Sequence, residues 1–385
     1  MEFGFTMEQD ILRKSVRQFM DTEAPLTHLR EMEADAKGYS PSLWRQIAGL
    51  DWIGIDYPDQ YAGLGGSFVD VAVVVEEMGR KLFPGPYIPT AILAGQALLA
   101  GGNEQQKSEL LPKIIRGETI LTFALTEPSN TYEAWGVETR ATLATGGGFV
   151  LNGTKIVVPF AHVADLIIVA AHTGPSEKDG PTEGNISLFL VDPGAAGVRI
   201  SPIRITSNEK VSAVVLENVP VAAADRLGAS SRPLGGDWPV VEAVLSRGKA
   251  AMCAEMVGAA QGALDMAVNY AKERTQFGGP IGRFQSIQHT LASLATEVQG
   301  ARLLTYKAAV AIAGGDPNSV DASMAKAYVS EVFLRTTRAA SQIHGGYAFM
   351  KETDISLYYL RAKAAEAILG GPDANRELVA QQMGL

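Results

Sequence analysis

Cysteine is nearly absent from the sequence, which has only Cys253 among its 385 residues. A single cysteine excludes an intrachain disulfide framework and favours a reducing compartment such as the cytoplasm. Its neighbours are alanine and methionine in a helix-forming stretch, so Cys253 is interpreted as buried packing rather than as a nucleophile. The five histidines show no metal-ligand spacing. The sequence therefore predicts neither a disulfide scaffold nor a metal centre.

Long apolar runs and excess positive charge are also missing. The longest apolar runs, such as residues 71–75 and 166–171, are far shorter than the roughly 20 residues that span a bilayer. No basic segment followed by an apolar one stands at the N-terminus, so no secretory signal is expected. The net charge of −9 argues against nucleic acid as a partner. The composition, with 46% hydrophobic and 19% charged residues, is typical of a soluble protein, and neither membranes nor nucleic acid are expected as partners.

The pattern of the chain changes twice, which predicts three domains. Residues 1–118 are almost all helical in pattern and begin with a capping box at Thr6 and Gln9. Residues 119–227 contain short alternating or β-branched segments separated by turn signals. Residues 228–385 open on a serine, glycine and proline linker and are helical afterwards. This order predicts an α+β fold.

Turn signals predict three details of the middle segment. Asn152-Gly153 lies between two strand-like runs and predicts a β-hairpin turn. The glycine run at residues 146–148 predicts a second hairpin turn, because it lacks the strand-to-helix setting of a nucleotide-binding loop. Residues 174–185 are polar and glycine-rich, and we expect a surface loop there.

A helical hairpin is predicted at residues 250–314. Gly258 and Gly262 share one face of its first helix, where missing side chains let another helix approach closely. The glycine and proline turn between the helices contains Arg274, a planar donor suited to phosphate, and Phe277, a ring suited to stacking. Taken alone, the turn is better interpreted as a surface feature of the hairpin.

Three motifs change that interpretation. They are RTQFG at residues 274–278 with Pro280-Ile281 and Phe284-Gln285, QIHGG at residues 342–346, and LTEP at residues 125–128. In sequence, in order along the chain and in spacing, they closely resemble the signatures of the acyl-CoA dehydrogenases. The resemblance covers essentially the whole chain. It implies an N-terminal helical domain, a central β barrel and a C-terminal four-helix bundle. It also implies bound FAD, an acyl-CoA substrate dehydrogenated to a 2,3-enoyl-CoA, and a role in lipid metabolism such as β-oxidation.

The resemblance also assigns the binding residues. Arg274 would bind the FAD pyrophosphate and Phe277 would pack by the adenine. The remaining implied contacts with FAD come from Gln285, Gln342, Gly345 and Gly346, and from the flavin loop with Phe123, Leu125 and Thr126. For acyl-CoA, the implied contacts are Ser246, Arg247 and Lys249, which lie on either side of Gly248.

The half of the FAD site that would cradle the flavin ring departs from the family pattern. Residues 129–135 replace the usual glycine-rich run. Val157 and Pro159 stand where the family has a tryptophan that shields the flavin and a nearby threonine. Gly371 and Asp373 stand where threonine and glutamine often contact FAD.

The catalytic base is the sharpest departure. The two places where the family puts a catalytic glutamate are Leu369 and Gly248 here, and neither side chain can accept a proton. We therefore assign no catalytic residue. Glu255 and Glu366 are the nearest alternatives, while Glu127 is structural in the family.

One hypothesis accounts for both the retained and the missing features. Some bacterial members of the family resemble paired paralogues in an α2β2 assembly, and this chain resembles the subunit without the base, which supplies the dinucleotide half of each shared site. Three alternatives remain open: a self-sufficient homotetramer that uses Glu255 or Glu366, a catalytically silent scaffold, and a flavin oxidase or monooxygenase. Electron-transferring flavoprotein is the expected electron acceptor.

Overall fold

The computed structural model describes residues 4–174, 183–229, 231–316 and 318–385. They form two compact units. The first comprises the described part of Met1–Glu33 with Ser67–Pro84 and Lys249–Leu385, and the second comprises Ala34–Gly66 with the described part of Gly85–Gly248. Most of the loop predicted at residues 174–185 lies outside the described residues. The division into three domains at residues 118 and 227 stays a prediction.

Helices dominate both ends of the chain. They are α1 (Met7–Glu23), α2 (Leu26–Ala34), α3 (Pro41–Gly49), α4 (Phe68–Arg80), α5 (Gly95–Gly101), α6 (Glu104–Ile115), α7 (Trp238–Glu273), α8 (Gln285–Ala313), α9 (Val320–His344), α10 (Ile355–Ala367) and α11 (Pro372–Gln382). The capping box at Thr6 and Gln9 is confirmed at the start of α1. Helix α2 begins directly after Pro25. None of the helices in the described ranges is long and apolar enough to cross a membrane.

The second unit is built on one sheet. Its strands are β1 (Leu121–Ala124), β2 (Arg140–Leu143), β3 (Phe149–Pro159), β4 (Leu166–His172), β5 (Ile186–Val191), β6 (Val198–Ile203) and β7 (Val211–Val221). Hydrogen bonding gives the order β1-β4-β2-β3-β7-β6, with β5 paired to β4. Buried side chains of these strands, among them Leu151, Val169, Phe189 and Val214, form its hydrophobic core. Helices, then strands, then helices confirm the α+β fold.

The hairpin predicted at Asn152-Gly153 is wrong. Both residues lie inside the continuous strand β3, at an irregularity in its pairing with β7. Asn152 pairs with Arg140 of β2, and its Oδ1 accepts a hydrogen bond of 2.8 Å from the Asn218 amide. A Cβ atom on Gly153 would lie 2.3 Å from Thr139 Oγ1, so the glycine permits a close approach instead of a turn.

The hairpin turn between β2 and β3 lies at the glycine run instead. The Ala144 amide donates a hydrogen bond across the turn to the Gly148 carbonyl at 3.0 Å. Gly146, Gly147 and Gly148 all have positive φ angles, which glycine adopts without steric cost. The second turn prediction is therefore confirmed.

Glycines let α4 and α7 pack with their backbones close together in the first unit. A Cβ atom on Gly258 would lie 1.8 Å from the Glu76 carbonyl oxygen, and one on Gly262 would lie 2.8 Å from that of Arg80. From α4, a Cβ on Gly79 would lie 2.1 Å from the Glu255 carbonyl oxygen. The close approach predicted from the glycine spacing is confirmed.

We expect Gly258→Ala to destabilise the protein by about 1–3 kcal/mol, because the added methyl group forces two helix backbones apart. Gly300→Ala is the matched control. That glycine is also helical, in α8, but the nearest atom to its added Cβ is the Tyr328 hydroxyl at 3.6 Å. We expect the control to be neutral or slightly stabilising, by up to about 1 kcal/mol. Urea unfolding measures both, and equal midpoints would contradict the prediction.

Candidate functional site

The turn after α7 presents Arg274 and Phe277 at the surface of the first unit. A two-residue ladder pairs β8 (Thr275–Gln276) with β9 (Gly279–Pro280) and shapes the turn. Phe277 has a φ of +53° and an 85% exposed side chain. The guanidinium of Arg283 donates to the carbonyls of Phe277 and Gly278 and so holds the turn. The turn thus displays a planar cation beside an uncovered aromatic ring.

The glycine motif lies beside this turn. Arg274 Cζ is 5.8 Å from the centre of the Tyr347 ring, which follows Gly345-Gly346 directly. Gly345 caps α9 with a φ of +62°, and nothing lies within 4 Å of the place where a Cβ on either glycine would stand. His344, in the same motif, bonds the backbone, with its Nδ1 2.8 Å from the Ala340 carbonyl oxygen.

Exposure separates the predicted FAD residues into two groups. The group in the first unit is exposed and comprises Arg274, Phe277, Gln285, Gln342, Gly345 and Gly346. The group in the second unit, Phe123, Leu125 and Thr126, is buried. In the described part of the chain, no carboxylate forms an ion pair with Arg274. The donor fork of Arg274, the open glycine backbone and the uncovered Phe277 ring fit the pyrophosphate and adenine of a dinucleotide.

The flavin loop is held from behind by a buried ion pair. Lys155 Nζ donates to Glu127 Oε1 at 2.6 Å and to the Leu125 carbonyl at 3.1 Å. Glu127 also accepts from the amides of Glu138 and Thr139 at 3.0 Å. Burial lowers the pKa of Lys155, while Glu127 opposes that shift. Glu127 therefore has the structural role expected for it.

Strand β3, which carries Lys155, is distorted at Val157, where the resemblance predicts the flavin-shielding tryptophan of the family. The pairing of β3 with β7 shifts register between Lys155 and Val158. Within this irregularity Val157 has a φ of +52°, which is a strained conformation for a β-branched residue. Bulges of this kind re-aim side chains and are frequent next to active sites. At this bulge the residue is Val157, which has a small aliphatic side chain.

Leu369, where the resemblance predicts the main base position, lies on a turn that several hydrogen bonds hold in place. Leu369 and Gly370 have φ angles of +58° and +89°. The buried Lys326 ammonium donates to the carbonyls of Ala365, Glu366 and Gly370 at 3.0, 3.1 and 3.1 Å. The buried Asn375 side chain donates to Gly370 and Gly371 at 2.9 and 3.0 Å. Sequence reasoning missed both residues, although a lysine among the apolar residues of α9 was a signal.

The nearby carboxylates are engaged in ion pairs. Glu366 Oε2 is 2.7 Å from Lys363 Nζ, and Glu255 Oε1 is 3.1 Å from an Arg361 nitrogen. The second base position, Gly248, is buried in α7 and has no side chain. Neither of the two predicted base positions therefore presents a proton acceptor.

The predicted acyl-CoA residues lie on either side of Gly248 in α7. Lys249 is buried and its Nζ donates to Ser323 Oγ at 3.1 Å, within the helical unit. This placement does not favour a contact between Lys249 and the phosphates of CoA. Ser246 Oγ is buried and has no hydrogen-bond partner among the described residues. Their roles in acyl-CoA binding stay predictions.

Sequence profiles of acyl-CoA dehydrogenases match the chain from end to end. The N-terminal domain matches residues 6–118, the middle domain residues 122–219 and the C-terminal domain residues 235–384. The chain belongs to the acyl-CoA dehydrogenase family. Members of this family are FAD-dependent flavoproteins that act on the CH–CH bond of acyl-CoA thioesters, which confirms the cofactor and the class of reaction expected from the motifs.

Individual relatives show the same extent of similarity. The chain is 33% identical over 389 residues to the probable acyl-CoA dehydrogenase YngJ of Bacillus subtilis, covering 100% of both proteins. It is 31% identical over 389 residues to the acryloyl-CoA reductase (NADH) of Anaerotignum propionicum, covering 100% of this chain and 96% of that protein. A solved structure, the ChsE4-ChsE5 complex from Mycobacterium tuberculosis, matches with a TM-score of 0.88 and 26% identity, covering 100% of this chain and 99% of that one.

Proposed function

We propose that this chain is the subunit without a catalytic base in a heteromeric, α2β2 acyl-CoA dehydrogenase. The observation that carries the proposal is Leu369, an aliphatic side chain on a turn that Lys326 and Asn375 hold in place. Two buried donors hold this turn in one conformation, yet the side chain that the turn carries cannot take the α-proton. Gly248, at the other base position, cannot take it either.

The exposure of the binding residues supports the same proposal. Arg274, Phe277 and Gly346 face outward from their unit, so they can contact a dinucleotide held mainly by another subunit. The similar ChsE4-ChsE5 structure is a complex of two differently named chains, which is the kind of assembly we propose here. The other subunit would supply both the base and the flavin cradle.

In this assembly the chain contributes binding and orientation. Arg274 would hold the pyrophosphate through its two-pronged donor fork, and the backbone at Gly345 and Gly346 would approach it closely. Phe277 would cover the adenine. Bound FAD would supply the acceptor for the hydride that leaves the β-carbon, and a carboxylate of the other subunit would take the α-proton. No proton transfer is assigned to a residue of this chain.

The electron acceptor, the metabolic role and the location in the cell belong to the same proposal. Electron-transferring flavoprotein is the proposed acceptor, β-oxidation of a bulky or ring-bearing acyl group is the proposed role, and the cytoplasm is the proposed location. The single cysteine agrees with a reducing compartment.

The proposal is tested by measuring flavin absorbance in two preparations. One is the chain purified alone, and the other is the chain co-purified with a paralogue that carries the missing glutamate. We expect the chain alone to be colourless and inactive, and the pair to contain about one FAD per unlike pair of subunits. A yellow, active homo-oligomer would instead favour a self-sufficient enzyme that uses Glu255 or Glu366. Substituting each of these glutamates with glutamine would then identify the base, since losing it reduces the rate by roughly 10²–10⁴-fold.

A further inference from the structure

The guanidinium of Arg274 has a flat face and a donor edge, and only the face has a partner within this chain. Its Cζ lies over the ring of Tyr347, 5.8 Å from the ring centre. In the described parts of the chain no oxygen accepts a hydrogen bond from this guanidinium. A planar guanidinium can rest on an aromatic ring while the donors along its edge reach phosphate oxygens. Tyr347 can therefore keep its contact with Arg274 while a dinucleotide is bound.

Backbone hydrogen bonds hold Arg274 at both ends, whereas its side chain is exposed. The Arg274 amide donates to the Tyr270 carbonyl at 2.8 Å, and the Arg274 carbonyl accepts from the Ile281 amide at 2.8 Å. An exposed arginine side chain samples many rotamers, and ordering it on a ligand costs free energy. A contact that already confines the guanidinium reduces this cost, so it tightens the binding of the ligand.

The ring of Tyr347 is itself held in place. The Tyr347 carbonyl accepts hydrogen bonds from the Met350 amide at 3.1 Å and from the hydroxyl of Thr353, which fix the backbone of the short segment after α9. The ring centre lies 6.4 Å from that of Tyr270, with an angle of 51° between the two planes. This distance is within the range of aromatic pairs that attract each other.

Tyr270 in turn packs on a buried ring. The rings of Tyr270 and His344 are stacked, with their centres 4.3 Å apart and an angle of 22° between their planes. His344 is 8% exposed, and its Nδ1 bonds the Ala340 carbonyl oxygen. Tyr270 lies on α7 and His344 ends α9, so two long helices set the position of the Tyr347 ring.

We propose that Tyr347 is a positioning residue, whose ring holds the guanidinium of Arg274 ready for the pyrophosphate of FAD without touching the cofactor itself. The inference rests on the proposed function, in which this chain supplies the dinucleotide half of a shared site. Tyr270 and His344 support the ring from the interior of the helical unit. Tyr347 contributes no proton and no hydrogen bond to the reaction.

The test is a double-mutant cycle on the assembly of this chain with its flavin-binding paralogue, measured as FAD affinity by fluorescence titration of the apo-assembly. We expect Tyr347→Leu to weaken FAD binding about two- to fivefold, which is the effect of losing an exposed cation–π contact. Tyr347→Phe keeps the ring and should keep the affinity. In the Arg274→Ala background, Tyr347→Leu should have no further effect, because the group that the ring positions is gone.

Phe349→Leu is the matched control, because it removes an 89% exposed ring from the same segment. It should keep the FAD affinity. Unchanged affinity of Tyr347→Leu, or an equal loss in Phe349→Leu or Tyr347→Phe, would overturn the inference. An equal loss from Tyr347→Leu with and without Arg274 would mean that the ring contacts FAD directly, which also overturns a positioning role. Undiminished FAD affinity of Arg274→Ala would instead overturn the proposed function, and this inference with it.

Discussion

Arg274→Ala is expected to weaken FAD binding by the flavin-containing assembly by about 10- to 150-fold, since a hydrogen bond to a charged group contributes about 1.5–3 kcal/mol. The guanidinium is exposed at a turn that Arg283 holds in place, so its loss removes a ligand contact without leaving a buried hole. The FAD affinity of Arg274→Lys should lie between those of Arg274→Ala and the unsubstituted protein, because lysine keeps the charge and loses the planar fork. Fluorescence titration of the apo-assembly with FAD measures all three.

Arg199→Ala serves as the control, because it removes an exposed arginine far along the chain, on β6. Its FAD affinity should match that of the unsubstituted protein. The silent-scaffold alternative makes the opposite prediction for Arg274, since a scaffold contributes nothing to the cofactor site. Unchanged FAD affinity of Arg274→Ala would therefore favour the scaffold over the proposed function.

Lys155→Met should be the most destabilising of these substitutions, by about 3–5 kcal/mol, because it leaves the carboxylate of Glu127 buried without its cation. Lys155 is 0% exposed and Glu127 is 2% exposed, so water cannot replace the missing partner. The double variant Lys155→Met with Glu127→Gln should recover part of the loss, since the uncharged amide no longer needs a counterion. Denaturant unfolding of each variant gives the free energies.

The matched control also replaces the cationic residue of an ion pair, but of one exposed to solvent. Arg199→Met disrupts the pair with Glu217, whose side chains are 62% and 56% exposed, and should cost at most about 1 kcal/mol. A Lys155→Met variant as stable as this control would contradict the structural role assigned to Glu127 and Lys155. Because Lys155 also donates to the Leu125 carbonyl, we expect the flavin loop to loosen together with the fold.

Sequence patterns predicted a structural feature correctly where that feature depends on residues close together in the chain. The capping box of α1 is confirmed, because such a cap depends on residues only three positions apart. The close helix approach at Gly258 is also confirmed. Asn152-Gly153 failed because its role depends on β2 and β7, which lie far away in sequence and demand a glycine opposite Thr139.

The sequence by itself determined the family and the cofactor, and it predicts that the catalytic base is missing. Those conclusions depend on which side chains are present: an arginine and a phenylalanine in the hairpin turn, and a leucine and a glycine where an acid would be needed. The tertiary structure alone decided which of the residues are available. It buries Phe123, Leu125 and Thr126, turns Arg274 and Phe277 outward, and directs Lys326 and Asn375 to the turn of Leu369. Exposure and partners of this kind arise from contacts between residues far apart in the chain, which no local pattern encodes.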